Sequence, residues 1–107
     1  MEKAADQGSY LLELLGNLRV SGLVLQARGM GLLAGLEVQH TNDKPATDVT
    51  MRVVKAMLRR GFILLPEGEH GNVIGFTPPL TITKAQLRQT VRELEIAMGS
   101  VQSAKTY

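Results

Sequence analysis

Leu11, Leu14, Leu15 and Leu18 recur at i, i+3, i+4 and i+7, which gathers them into one stripe and predicts a first helix over about residues 7–18. Such a stripe needs a surface to cover it. The period then changes. Over residues 23–40, Leu32, Ala34, Leu36 and Val38 alternate in the manner of a half-buried strand, and the segment before them completes a hairpin about an Arg28-Gly29-Met30-Gly31 turn. Gly35 offers no side chain to pack inside the second strand, so it marks a bulge or a place where another backbone comes close.

Residues 41–45 form a polar break, with Asn42 and Asp43 as cap-like residues and Pro45 suited to a first helical turn. A second helix follows. Val49, Val53 and Met57, with Val54 and Leu58, make its buried face. Arg59 and Arg60 occupy the last turn, where cations complement the helix dipole, and Gly61 is placed for the left-handed residue just beyond the end. Residues 62–65 read as a short apolar strand ending at Pro66, residues 67–72 as a turn and residues 73–76 as another strand that stops before Pro78-Pro79.

Thr83 and Gln86 have the spacing of a capping box, and Ile82 with Leu87 that of a hydrophobic staple, so a third helix begins at Lys84. Leu87, Val91, Leu94, Met98 and Val101 line its narrow apolar face; Arg88, Arg92, Glu93 and Glu95 face water, and the helix is expected to fray after Gly99. The order is α-β-β-α-β-β-α, an α+β fold in which three helices cover a small, mostly antiparallel sheet. The first helix starts close to Met1 without a convincing cap, as a helix cut from a longer one would.

The 107 residues suit a single domain, and 44% hydrophobic with 21% charged residues is ordinary soluble usage. Lysine and arginine exceed aspartate and glutamate by 12 − 10 = 2, with no basic stripe that would track a nucleic acid. Apolar runs fall far short of the roughly 20 residues of a membrane helix. With no cysteine there is neither a disulfide framework nor a thiolate metal site, and Met1 is followed by Glu2 and Asp6 instead of a secretory signal, which makes the cytoplasm the expected location.

Catalytic chemistry is sparse. His40 and His70 are the only imidazoles; His70 stands with Glu67 and Glu69, but a lone imidazole beside exposed glutamates reads as a solvated turn. No serine sits in a nucleophile-elbow context. Arg28-Gly29-Met30-Gly31 opens a strand and not a helix, so it reads as a structural turn and not a phosphate cradle. Lys3, Lys44, Lys55, Lys84 and Lys105 all lie in polar or helix-surface surroundings that suit no Schiff-base nucleophile.

Two longer patterns change this picture. Val24, then Ala27-Arg28-Gly29-Met30-Gly31-Leu32-Leu33-Ala34-Gly35-Leu36-Glu37, resembles the Val-Arg-Gly-x-Gly-Leu-Met-x-Gly-x-Glu strand pair of class III aminotransferases, the family of 4-aminobutyrate, ornithine and acetylornithine aminotransferases. Gly61-Phe62-Ile63-Leu64-Leu65-Pro66, followed by Gly71-Asn72-Val73-Ile74-Gly75-Phe76-Thr77-Pro78-Pro79-Leu80-Thr81-Ile82-Thr83, is similar to that family's final segment almost position for position. The resemblance covers about residues 8–98.

The resemblance implies a pyridoxal-phosphate enzyme of fold type I, usually a homodimer, of which residues 1–107 are the C-terminal small domain. The large domain, with the cofactor lysine and the aspartate facing the pyridine nitrogen, would lie outside this chain. On that reading the parent transfers an amino group from an amino acid, such as the omega-amino acid 4-aminobutyrate, to a 2-oxo acid. The chain alone is a fragment that binds no cofactor and is inactive. Gly75, Phe76, Thr77 and Pro78 then form the substrate-side wall. Many members carry an arginine at the position of Gly75, where it forks onto the substrate carboxylate; glycine cannot make that contact. The alternative from another class is a stand-alone ACT-like regulatory module that binds an amino acid, with the order β-α-β-β-α-β.

Overall fold

The computed structural model describes residues 2–30, 33–77 and 81–104 of the chain. Seven elements follow one another as α1 (Glu2–Gly16), β1 (Leu23–Met30), β2 (Leu33–His40), α2 (Thr47–Arg59), β3 (Leu65–Glu67), β4 (Val73–Phe76) and α3 (Lys84–Ala104). This is the α-β-β-α-β-β-α order expected, and not the β-α-β-β-α-β order of an ACT-like module. The strands form one antiparallel sheet in the order β1-β2-β4-β3.

Strand alternation divides the sheet into two unlike faces. Ala34, Leu36, Val38, Ile74 and Phe76 point to one side and are buried. There they meet α1 and α2, and α3 packs against both helices. Leu11 and Leu15 of α1, Val49, Val53 and Met57 of α2, and Leu87, Leu94 and Met98 of α3 complete a single core. The opposite face carries Gln26, Arg28, Gly35, Glu37, Val73, Gly75, Leu65 and Glu67. No helix among the described residues covers it.

The buried polar side chains of Gln7, Thr50 and Asn72 are each paired, as most interior polar groups are. Asn72 Nδ2 donates to the Val38 carbonyl at 2.9 Å and fastens the loop before β4 to β2. Thr50 Oγ1 donates to the Ala46 carbonyl at 2.9 Å. Gln7 Nε2 donates to the Ile82 carbonyl, joining α1 to the entry of α3.

Several local expectations shift. Arg28, Gly29 and Met30 are strand residues paired with Gly35, Ala34 and Leu33 and not turn residues, while Gly31 and Leu32 lie outside the described residues. Gly35 sits in continuous register and not in a bulge; a Cβ there would lie 3.0 Å from Val73 Cγ1. Helix α2 starts later than Pro45, which instead bridges Gln39, and its N-cap is Ala46 without a side-chain hydrogen bond. Asn42 Oδ1 accepts from the Lys44 amide and Asp43 takes a left-handed φ of 67°, so these residues shape the loop and do not cap the helix. Leu58 is 58% exposed, not buried, because it falls off the stripe of Val49, Val53 and Met57.

β3 begins at Leu65 and runs through Pro66 to Glu67, later than the apolar run suggests. It is an edge strand, where a proline's missing N–H is tolerated. α3 continues past Gly99 to Ala104, since a glycine between good helix formers weakens a helix without ending it.

The predicted close of α2 and the capped start of α3 form as expected. The Gly61 and Phe62 amides donate to the Leu58 and Met57 carbonyls, with Gly61 at φ 93°, which is a Schellman close. Thr83 N donates to Gln86 Oε1 at 2.9 Å and Gln86 N to Thr83 Oγ1 at 3.1 Å, a reciprocal capping box.

Candidate functional site

Gly75, Phe76 and Thr77 all stand at the end of β4, but they do not present one surface. Phe76 points into the core and is 3% exposed. With Leu11, Phe62, Leu64, Ile82 and Leu87 it walls an apolar recess of about 370 Å³, and Thr77 sits on the recess just past the strand end. Gly75 points the other way, to the open face. Pro78 lies outside the described residues.

The open face has a glycine floor. Gly35 and Gly75 pair with each other across β2 and β4, with Arg28 beyond Gly35 and Leu65 beyond Gly75. A Cβ built on Gly75 would collide with the carboxylate of Glu67, which reaches diagonally from β3 and lies over the glycine. Without its side chain, position 75 leaves a seat that this carboxylate takes. Glu67 makes no ion pair among the described residues. The other acid of this face, Glu37, is held by Arg28 Nη2 at 2.9 Å. Sequence reasoning passed over Glu67 as a turn residue, because its reach over Gly75 depends on β3 extending past Pro66.

The remaining candidates stay apart. His70 is exposed and uses its backbone carbonyl to accept from Thr47 Oγ1 at 2.6 Å, while His40 Nε2 lies 3.4 Å from Asp48 Oδ1. Among the described residues no three His, Asp or Glu side chains gather as metal ligands. No helix among them is long and apolar enough to cross a membrane.

Pyridoxal phosphate, the cofactor the resemblance implies, needs a lysine and an orienting acid within a sheltered pocket. Lys44, Lys55 and Lys84 are exposed, and the Lys84 ammonium rests 5.3 Å from the centroid of the Tyr10 ring. Asp43 is in a loop and Asp48 beside His40. The described residues do not fit the cofactor. They offer a sheet with a shallow acidic seat on one side and an apolar recess at its end.

A helix-backed antiparallel sheet with both glycine-marked segments on adjacent strands defines the chain as a small α+β domain. Its sequence matches the class III aminotransferase model over residues 1–98, and the chain belongs to that family. It is 36% identical over 99 residues to an acetylornithine aminotransferase of Bacillus subtilis, covering 92% of this chain and 23% of that protein. It is 27% identical over 106 residues to an alanine/serine racemase of Pyrococcus horikoshii, covering 98% of this chain and 22% of that one.

Among solved structures, a phospholyase from Arthrobacter in complex with phosphoethanolamine superposes with a TM-score of 0.84 at 28% identity, over 94% of this chain and 24% of that chain. A transaminase from the marine bacterium Virgibacillus superposes with a TM-score of 0.80 at 27% identity, over 96% and 25%. The chain thus spans about a quarter of the length of the relatives it matches. Those relatives bear the names of a transaminase, a racemase and a phospholyase, so the domain is shared by proteins of different reaction types.

Proposed function

We propose that residues 1–107 are the C-terminal small domain of a pyridoxal-phosphate-dependent aminotransferase, with the cofactor site in the part of the relatives' length that this chain does not span. The parent moves an amino group from an amino acid to a 2-oxo acid, as a cytoplasmic homodimer, and the isolated chain is inactive. The observation that carries this reading is the close match of nearly the whole chain to about a quarter of much longer transaminases, together with the exposure of Lys44, Lys55 and Lys84.

Within that parent the open end of β4 faces the substrate. Gly75 supplies clearance, Phe76 anchors the strand from beneath, and Thr77 and Pro78 continue the wall. The carboxylate of Glu67 over Gly75, in no ion pair among the described residues, makes this seat repellent to a substrate carboxylate, so a donor such as 4-aminobutyrate has its carboxylate bound elsewhere. When bound to the parent, the cofactor supplies the electron sink; the domain's own part is to orient the substrate and exclude water.

The test is reduction with borohydride after the chain is mixed with pyridoxal phosphate, followed by peptide mass spectrometry. Substoichiometric label spread over exposed amines is expected. Stoichiometric capture at one lysine would show that the chain carries its own cofactor site and overturn the reading.

A further inference from the structure

On the helical side of the molecule, away from the sheet's open face, α2 and α3 enclose a cleft of about 270 Å³ lined by Arg52, Lys55, Ala56, Arg59, Arg60, Ala97, Ser100 and Val101. Arg52, Lys55 and Arg59 stand at i, i+3 and i+7, so the 3.6-residue period brings them to one side of α2. At about 1.5 Å per residue they form a row about 10 Å long. All three are exposed, and among the described residues none of them is in an ion pair.

The acids nearby are engaged. Glu93 Oε1 takes Arg60 Nη1 at 2.5 Å, and Asp48, one turn before Arg52, is met by His40. The floor is small and apolar, from Ala56, Ala97 and Val101, and the Ser100 hydroxyl adds a neutral donor at the wall. The negative end of the α2 dipole, which would oppose an anion near Arg59, is blunted because the Met57 and Leu58 carbonyls accept from the amides beyond the helix.

Like charges one turn apart repel each other, and an isolated helix gains nothing from such a row. A polyanion seated between them converts that repulsion into attraction, and guanidinium forks suit phosphoryl oxygens in particular. A single phosphate reaches only part of a 10 Å row, about two helical turns. We propose that the α2–α3 cleft is a binding site for a small oligophosphate, a diphosphate group or its esters, held by Arg52, Lys55 and Arg59 with Ser100 at the wall. The site is separate from the sheet surface assigned to substrate and does not depend on that assignment.

Calorimetry of the 107-residue chain with inorganic pyrophosphate tests it, with orthophosphate as the second titrant. Saturable pyrophosphate binding, tighter than orthophosphate, is expected. The triple variant R52Q/K55Q/R59Q loses it by about tenfold or more, the scale of a lost charge-assisted hydrogen bond.

A control variant, K44Q/K84Q/R88Q, has the same net charge, 2 − 3 = −1, and keeps affinity within about threefold, since exposed charges elsewhere act only through a screened field. Should the cleft triple variant not fold by circular dichroism, Arg52→Gln and Arg59→Gln singly must each weaken binding while Lys44→Gln does not. Absence of saturable binding to the native chain, or equal losses in cleft and control variants, overturns the proposal.

Discussion

Along β4, Ile74 and Phe76 point into the helices and are almost wholly buried, while Val73 and Gly75, one residue away, point to a face that no described helix covers. The inner pair is fixed by packing, because any change of volume there is felt by Leu36, Val49 and the rest of one close-packed core. The outer pair answers only to its cross-strand neighbours: Gly35 beside Gly75, and Glu67 reaching over it. The strand's register couples the two faces, so the packed inner face holds the open outer one in place. Proteins bearing different reaction names share this domain, and the packed inner face is the part that holds it together.

Ile74→Ala breaks that contrast hardest. It removes a fully buried branched side chain from the centre of the sheet, and urea unfolding should show a loss of about 2–5 kcal/mol. A loss near that of a surface change would mean that the inner face is not the tightly packed one. Thr83→Ala stands next. It deletes the hydroxyl that accepts from Gln86 N at 3.1 Å and leaves the reciprocal bond unsupported, with an expected cost of about 1 kcal/mol by the same measurement. Together the two separate what core packing contributes from what local capping contributes.

The capping box and the Schellman close were legible in the sequence because each is specified within a few residues, by Thr83 with Gln86 and by Gly61 after a cationic turn. The core stripes of α1 and α3 were legible through their period. The start of β3 was not: an apolar run at residues 62–65 resembles a strand more than Leu65-Pro66-Glu67 does, yet pairing with β4 selects the latter. For the same reason Glu67 was read as part of a turn, and its place above Gly75 depends on a register that no local pattern encodes. The cation row of the α2–α3 cleft was spelled out at positions 52, 55 and 59, but only the packing of α3 beside it makes a cleft.

The smallest expected effect tests the outer face directly. Gly75→Arg adds a long side chain where the Glu67 carboxylate now lies, but what it meets is the far end of a flexible, exposed side chain, not backbone. Glu67 can swing aside. Replacing a glycine inside a strand also recovers some of the conformational entropy that glycine forfeits on folding, so the net change in stability should stay within about 0.5 kcal/mol.

The new guanidinium and Glu67 then form an exposed pair, and a double-mutant cycle with Glu67→Gln should return a coupling of about 0.2–1 kcal/mol that fades as salt is raised. A loss of several kcal/mol from Gly75→Arg would place position 75 among the packed residues and erase the distinction between the faces. A coupling of zero would remove Glu67 from the seat, and with it the reason for expecting this surface to turn away a carboxylate.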